Sequence, residues 1–107
     1  MALPRLTHLQ FLVVSQLLGS SMAGRSLRHQ LGERGVTKSG PAFYQLMSRM
    51  EDGGLVRGWY EQQIVDSQII RERHYRLRAS GRRAWQDSRD FYADAIGAPV
   101  GGEPALG

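Results

Sequence analysis

The chain has 107 residues, of which 41% are hydrophobic, and a formal net charge of +4. That suffices for one small domain with a modest core, the kind of chain that often gains stability by pairing with a copy of itself. The absence of cysteine excludes a disulfide framework and any cysteine-based zinc site, and no stretch approaches the roughly 20 apolar residues of a membrane span. The lack of cysteine fits a reducing cytoplasm. The beginning of the chain does not read as a secretory signal, since Arg5 stands alone and the apolar run 11–14 is broken by Ser15 and Gln16. The basic side is nearly all arginine, with Lys38 the only lysine. Arginine offers a planar fork to phosphates and to guanine edges.

Residues 1 to 5 read as a short arm. From Leu6 the pattern turns helical: Leu6, Leu9, Val13 and Leu17 form one row, and Phe11, Leu12, Val14 and Leu18 widen it. Thr7 is placed to cap this helix, and 19–21 (Gly-Ser-Ser) ends it. A second helix is expected over about 23–34, with Leu27 and Leu31 as its core face and Gly35 as its stop. Residues 36–37 form a short bridge to a third helix over about 41–52.

That third helix opens on a cap signal, Ser39, with Pro41 in the first turn. Phe43, Leu46, Met47 and Met50 mark its packed face, and Gly53-Gly54 end it. The remaining side presents Lys38, Ser39, Ala42, Gln45, Ser48 and Arg49. Two short helices joined by a tight glycine-containing turn suggest a helix-turn-helix pair.

From Leu55 the period changes. A β-hairpin is expected, roughly 55–64 paired with 69–77, turning at Asp66-Ser67. Its tip region, EQQIVDSQII, is long, glycine-free and partly apolar. A last helix is expected from Ala79-Ser80 to about Ile96. Trp85, Ser88, Phe91, Tyr92 and Ala95 lie on its aromatic stripe, and charged residues occupy the other face. Residues 97–107 are rich in glycine and proline and read as a flexible tail. The fold class is therefore mainly α with a small β-hairpin. It divides into a winged helix-turn-helix over 1–78, a C-terminal dimerisation helix over 79–96, and the tail.

At this level the residues resemble the PadR family of bacterial transcriptional regulators. The resemblance is carried by Ser39, Tyr44, Arg49, Glu51, Gly54, Leu55 and Val56 in the third helix and the segment after it. It continues in Arg73, Tyr75, Arg76, Leu77, Gly81, Arg82 and Arg83. The opening LTHLQFLVVSQLL and Gly24 also fit, so that the likeness spans roughly residues 6 to 92. It implies a dimeric DNA-binding regulator, usually a repressor, joined through its C-terminal helix. It also implies that a small hydrophobic or phenolic effector can bind near the dimer interface.

The residues themselves support a DNA reading along three lines. Gln45 and Arg49 have the chemistry to read adenine and guanine edges from a helix in the major groove, while Ala42 and Ser48 let the backbone come close. Arg57, Arg71 and Arg73 on the wing can hold phosphates, and Arg5 and Arg28 can flank the groove; such contacts give affinity without sequence choice. Tyr44 serves either as a phosphate contact or as packing at the helix edge. Trp85, Phe91 and Tyr92, with Ser88 and Ala95, are expected to bury against a symmetry mate, because a lone terminal helix has little domain of its own to cover them. The family resemblance implies a second reading of Trp85, as the wall of an effector pocket between subunits. No cofactor, metal site or catalytic constellation is expected. His8, His29 and His74 fall on different elements, and Asp87, Asp90 and Asp94 read as a solvated helix face. The rival reading is a winged helix that grips a partner protein through its apolar wing instead of binding DNA.

Overall fold

In the computed structural model, residues 5–97 are described. The proposed flexible tail lies outside them except for Gly97, as do the first four residues of the arm. The elements run α1 (His8–Gln16), β1 (Met22–Ala23), α2 (Gly24–Glu33), α3 (Gly40–Asp52), β2 (Val56–Val65), β3 (Gln68–Leu77) and α4 (Ala79–Ala95). This is the expected order with one addition, the two-residue strand β1.

Local chemistry sets the helix starts. Thr7 caps α1 in a reciprocal box: its hydroxyl accepts from the Gln10 backbone N–H at 3.1 Å, and the Gln10 side chain accepts from the Thr7 N–H at 3.0 Å. Ser39 caps α3 by accepting from the Ala42 N–H at 3.3 Å, with Pro41 in the first turn. Each such cap contributes about 1 kcal/mol. The apolar spacing of α3 then buries Phe43, Met47 and Met50 completely. Side chains of this size contribute about 1.5–3 kcal/mol each when removed from water. They meet Leu27 and Leu31 of α2, Val13, Val14 and Leu17 around α1, and Tyr75 of β3 in a single core.

The sheet has the order β1-β3-β2 and is antiparallel throughout. β2 and β3 pair without a break from Val56↔Leu77 out to Val65↔Gln68. The turn between them is the two residues Asp66 and Ser67, both in the left-handed region at φ +50° and +62°. A two-residue loop with both φ positive is the primed turn whose twist matches the strands, so it holds the register without glycine. β1 pairs at the opposite edge of β3, Met22↔Tyr75 and Ala23↔His74. The wing is thus fixed to the body at its root only.

The last helix is better supported than its composition suggests. The expectation that it has little domain to pack on is corrected here. Gly81, Ala84 and Ser88 of α4 are buried, and Ala84 belongs to the main core. Trp85 stacks on Phe11 of α1 with ring centroids 6.0 Å apart, and its indole N–H donates to the Ser15 hydroxyl at 3.0 Å. The start of α4 is also tied to the end of α3. The Ser80 hydroxyl donates to the Gly54 carbonyl, and the Arg78 N–H donates to the Leu55 carbonyl at 3.0 Å.

Candidate nucleic-acid interface

Helix α3 has two free rows once its core face is buried. Tyr44 and Ser48, with Glu51 a turn further on, face the wing; Ala42, Gln45 and Arg49 form the other row. Gln45, Ser48 and Arg49 are exposed, Tyr44 is 40% exposed, and Lys38 and Ala42 are half-buried. The N-terminal approach to α3 is held from α2, where the Arg28 Nε–H donates to the Lys38 carbonyl at 2.9 Å. Tyr44 takes the packing role, with part of its ring left exposed. It packs edge-on against Phe43 with centroids 5.1 Å apart, and its ring and hydroxyl lie over Gly24. A β-carbon at position 24 would fall 2.9 Å from the Tyr44 ring and 3.1 Å from that of Tyr75.

The wing residues divide by the alternation of the strands. Gly58, Tyr60, Gln62 and Ile64 share one face with their partners Tyr75, Arg73, Arg71 and Ile69. That face closes an open groove of about 540 Å³ against α3, with Tyr44, Ser48 and Glu51 on the far wall and Arg25 at one end. Arg71 sits in this groove, exposed, its guanidinium 4.1 Å from the centre of the Tyr60 ring. Arg57 lies on the opposite face of the sheet, paired across the strands with Arg76. The structure therefore brings Arg71 and the α3 residues together and leaves Arg57 apart from them.

Arg73, expected as a phosphate contact, is engaged inside the protein. Its guanidinium pairs with Glu51 of α3 at 2.6 Å, with both side chains about three-quarters buried. It also lies 4.7 Å from the Tyr60 ring centre and 5.9 Å from that of Tyr75. Burial alone works against its charge, but the Glu51 carboxylate and hydrogen bonds to Tyr75 and Glu51 outweigh this and raise its pKa above the usual arginine value. The Glu51 carboxyl reaches this position because residue 58 is glycine. A β-carbon there would meet the Glu51 carboxyl carbon at 2.8 Å and the Arg73 guanidinium at 2.9 Å. Burial also pushes the Tyr75 phenol up to about 12, although its hydrogen bond with Arg73 works the other way.

Two residues missing from the sequence-based site are Arg25 and Glu72. They pair at 3.4 Å on the rim of the groove, Arg25 itself largely exposed. Their partnership spans the start of α2 and the middle of β3. The sequence signal for it was an arginine directly after Gly24, without anything to identify its partner.

The residues assigned to dimerisation also separate. Ser88 is fully buried and donates to the Ala84 carbonyl at 2.9 Å, so it packs within its own chain. Trp85 is half-buried on Phe11, whose ring also meets Tyr92 edge-on at 5.9 Å. Phe91 meets Tyr92 at 5.5 Å. Tyr92 is 40% and Ile96 79% exposed, and Ala95 is exposed beside them. Together with Phe11, these residues leave an aromatic surface along α1 and α4. Among the described residues there is no group of three or more His, Cys, Asp or Glu suited to a metal, and no helix long and apolar enough to cross a membrane.

Neither a protein-family model nor a curated protein sequence matches the chain. Solved structures do match. A PadR family transcriptional regulator from Eggerthella lenta is 27% identical, with 83% of this chain and 78% of that one covered and a TM-score of 0.64. A PadR family transcription regulator from Clostridium difficile is 20% identical, with 85% and 93% covered and a TM-score of 0.72. Bacillus subtilis PadR in complex with operator DNA is 14% identical, with 94% of this chain and 51% of that chain covered and a TM-score of 0.60. Three helices, a two-stranded wing closed by β1, and a C-terminal helix returning to α1 make this chain a winged helix of the PadR type.

Proposed function

We propose that the chain is a sequence-specific DNA-binding transcriptional regulator that acts as a homodimer in the cytoplasm, most simply as a repressor. The observation that carries this reading is the free side of α3. A capped helix buries one face completely and offers Gln45, Ser48 and Arg49 from the other, beside a groove whose exposed cations are Arg25 and Arg71. The likeness to a regulator bound to its operator supports the same assignment. In this reading Gln45 and Arg49 contact base edges, Lys38, Ser39 and Tyr44 hold the adjoining backbone, and Ala42 and Ser48 admit the helix to the major groove. Arg71 contacts phosphate from the wing, and Arg57 does so only from its outer face. Arg73 positions the wing instead of touching DNA.

Dimerisation through Phe91, Tyr92 and Ala95 of α4, with Trp85 and Phe11 behind them, covers the aromatic surface along α1 and α4. Two copies of α3 then lie about 34 Å apart on one face of the duplex, so the operator is a near-palindrome. A small hydrophobic effector would bind along the same aromatic surface, with Trp85 as its wall.

The test is selection of bound duplexes from a random pool, followed by titration at several salt concentrations. A recovered palindrome whose binding weakens linearly with the logarithm of salt is expected. Replacing Gln45 and Arg49 together by Ala should weaken binding to that duplex about 10- to 1,000-fold. Recovery of no preferred sequence, with no salt dependence, rejects the reading and leaves a protein-binding winged helix.

A further inference from the structure

We infer that the wing tip is an apolar wedge that enters the minor groove beside the α3 site and unstacks a base step there. This rests on the proposed DNA-binding function. The wedge is Ile64 and Ile69, cross-strand partners one step behind the turn pair Val65 and Gln68. They are 80% and 72% exposed. Two branched apolar side chains standing together in water at the end of a hairpin invite association, and chains that keep such a pair generally have something to bury it against.

Three observations identify the duplex as what covers them. The first is register. Ile64 and Ile69 share their face of the wing with Arg71 and Tyr60, the same face that closes the groove with Tyr44 and Ser48 of α3. The apolar tip therefore continues the proposed DNA surface and is turned away from Arg57. The second is charge. The pair directly inward from the isoleucines on that face is Gln62 and Arg71. Arg71 is fixed over the Tyr60 ring at 4.1 Å, so a positioned cation stands behind the wedge, where the phosphates flanking an opened base step come. The third is reach. The six steps from Gly58 to Ile64 extend about 20 Å at the usual strand rise. Half a helical turn, from the major groove to the next minor groove, is about 17 Å.

Apolar side chains inserted between base pairs partly unstack them and bend the duplex by roughly 20–90°. Pyrimidine–purine steps yield most readily. The tip thus selects sequence by deformability at a place where it reads no base edge, which adds to the small base-reading set of Gln45 and Arg49.

The experiment uses a duplex selected by the wild-type protein from a random pool, carrying a fluorescence energy-transfer pair at its ends and 2-aminopurine at its pyrimidine–purine steps. On binding wild-type protein the ends should approach and the 2-aminopurine signal should rise. The double variant Ile64→Ser with Ile69→Ser should lose both signals and bind about 10- to 100-fold more weakly. Its salt dependence should stay as in the wild type, because an apolar wedge releases no counterions. Leucine at both positions should restore the bend. Thermal unfolding of each variant without DNA serves as the folding control. A wild-type protein that selects no duplex overturns the DNA-binding reading itself. A wild-type complex with an unbent duplex, or a serine variant that binds and bends it as before, overturns the wedge alone and leaves the tip to a protein partner.

Discussion

The root and the tip of the wing share one pair of strands, one register and one uninterrupted ladder. They differ in what lies beneath the side chains. At the root, Tyr75 and Val56 are 2% and 1% exposed, Gly58 admits the Glu51 carboxyl, and the Glu51–Arg73 pair joins α3 to the sheet. At the tip, Ile64 and Ile69 stand in water on a two-residue turn. Backbone pairing is the same in both places, so it cannot be what makes the root firm. Packing and a satisfied buried ion pair do that, and the tip is held only by the ladder and the geometry of its turn.

The contrast breaks most sharply at Tyr75. Its replacement by Ala should cost about 3–5 kcal/mol, the range for large aromatic truncations in a core, seen as a lowered urea midpoint. Ile69→Ala, on the same strand face, should change stability by less than about 0.5 kcal/mol. Equal losses at the two positions would remove the distinction between root and tip.

A smaller effect comes from the ion pair. Glu51→Ala leaves the Arg73 guanidinium largely buried without its carboxylate, at an expected cost of about 1–3 kcal/mol. It should also loosen the wing relative to α3, which amide exchange along β2 and β3 would register as faster opening at the root. Unchanged exchange in β3 would mean that the pair does not hold the wing.

The Tyr75 phenol gives the same contrast a pH dependence. Its folded pKa lies near 12 against an ordinary value of 10.0. Below pH 10 both folded and unfolded chains keep the proton, and the contribution to stability is fully present. Between pH 10 and 12 the unfolded chain releases the proton while the folded one retains it, so stability falls with rising pH. Ultraviolet titration of the folded protein should show Tyr75 ionising well above pH 10, near pH 12. Replacing Tyr75 by Phe should remove this part of the alkaline loss.

The smallest expected change is at the turn. Ser67 holds φ +62° without being glycine, and Ser67→Gly should stabilise the chain by about 0.5–1 kcal/mol through relief of that strain. The gain should appear as slower exchange at the tip, leaving the root as it was.

Much of this architecture is legible in the residues because it is set by local rules. Ser39 followed by Pro41 announces the start of α3, Phe43, Met47 and Met50 fix its packed side, and Asp66-Ser67 marks the turn. The strand β1 is not legible. Two residues have no period, and Met22 and Ala23 become a strand only because β3 runs beside them. The role of Arg73 is hidden for a similar reason. On a wing, an arginine among arginines looks free, and its partner Glu51 lies 22 positions away on another element. Trp85 and Ser88 are readable as members of one helix stripe. The stripe does not tell which members turn toward α1 and which toward the outside, and that depends on the crossing of α4 over α1.

The carboxyl seated beneath Gly58 has a last consequence. With Glu51 bound to Arg73 there, α3 and the wing are joined by a contact that leaves no room for a side chain at position 58. Swinging the two elements apart to suit a duplex of different width would break that ion pair. On the proposed function the compliance of the complex therefore resides in the nucleic acid. The protein acts as a fixed gauge, and a site is accepted or refused by how readily its own helix conforms.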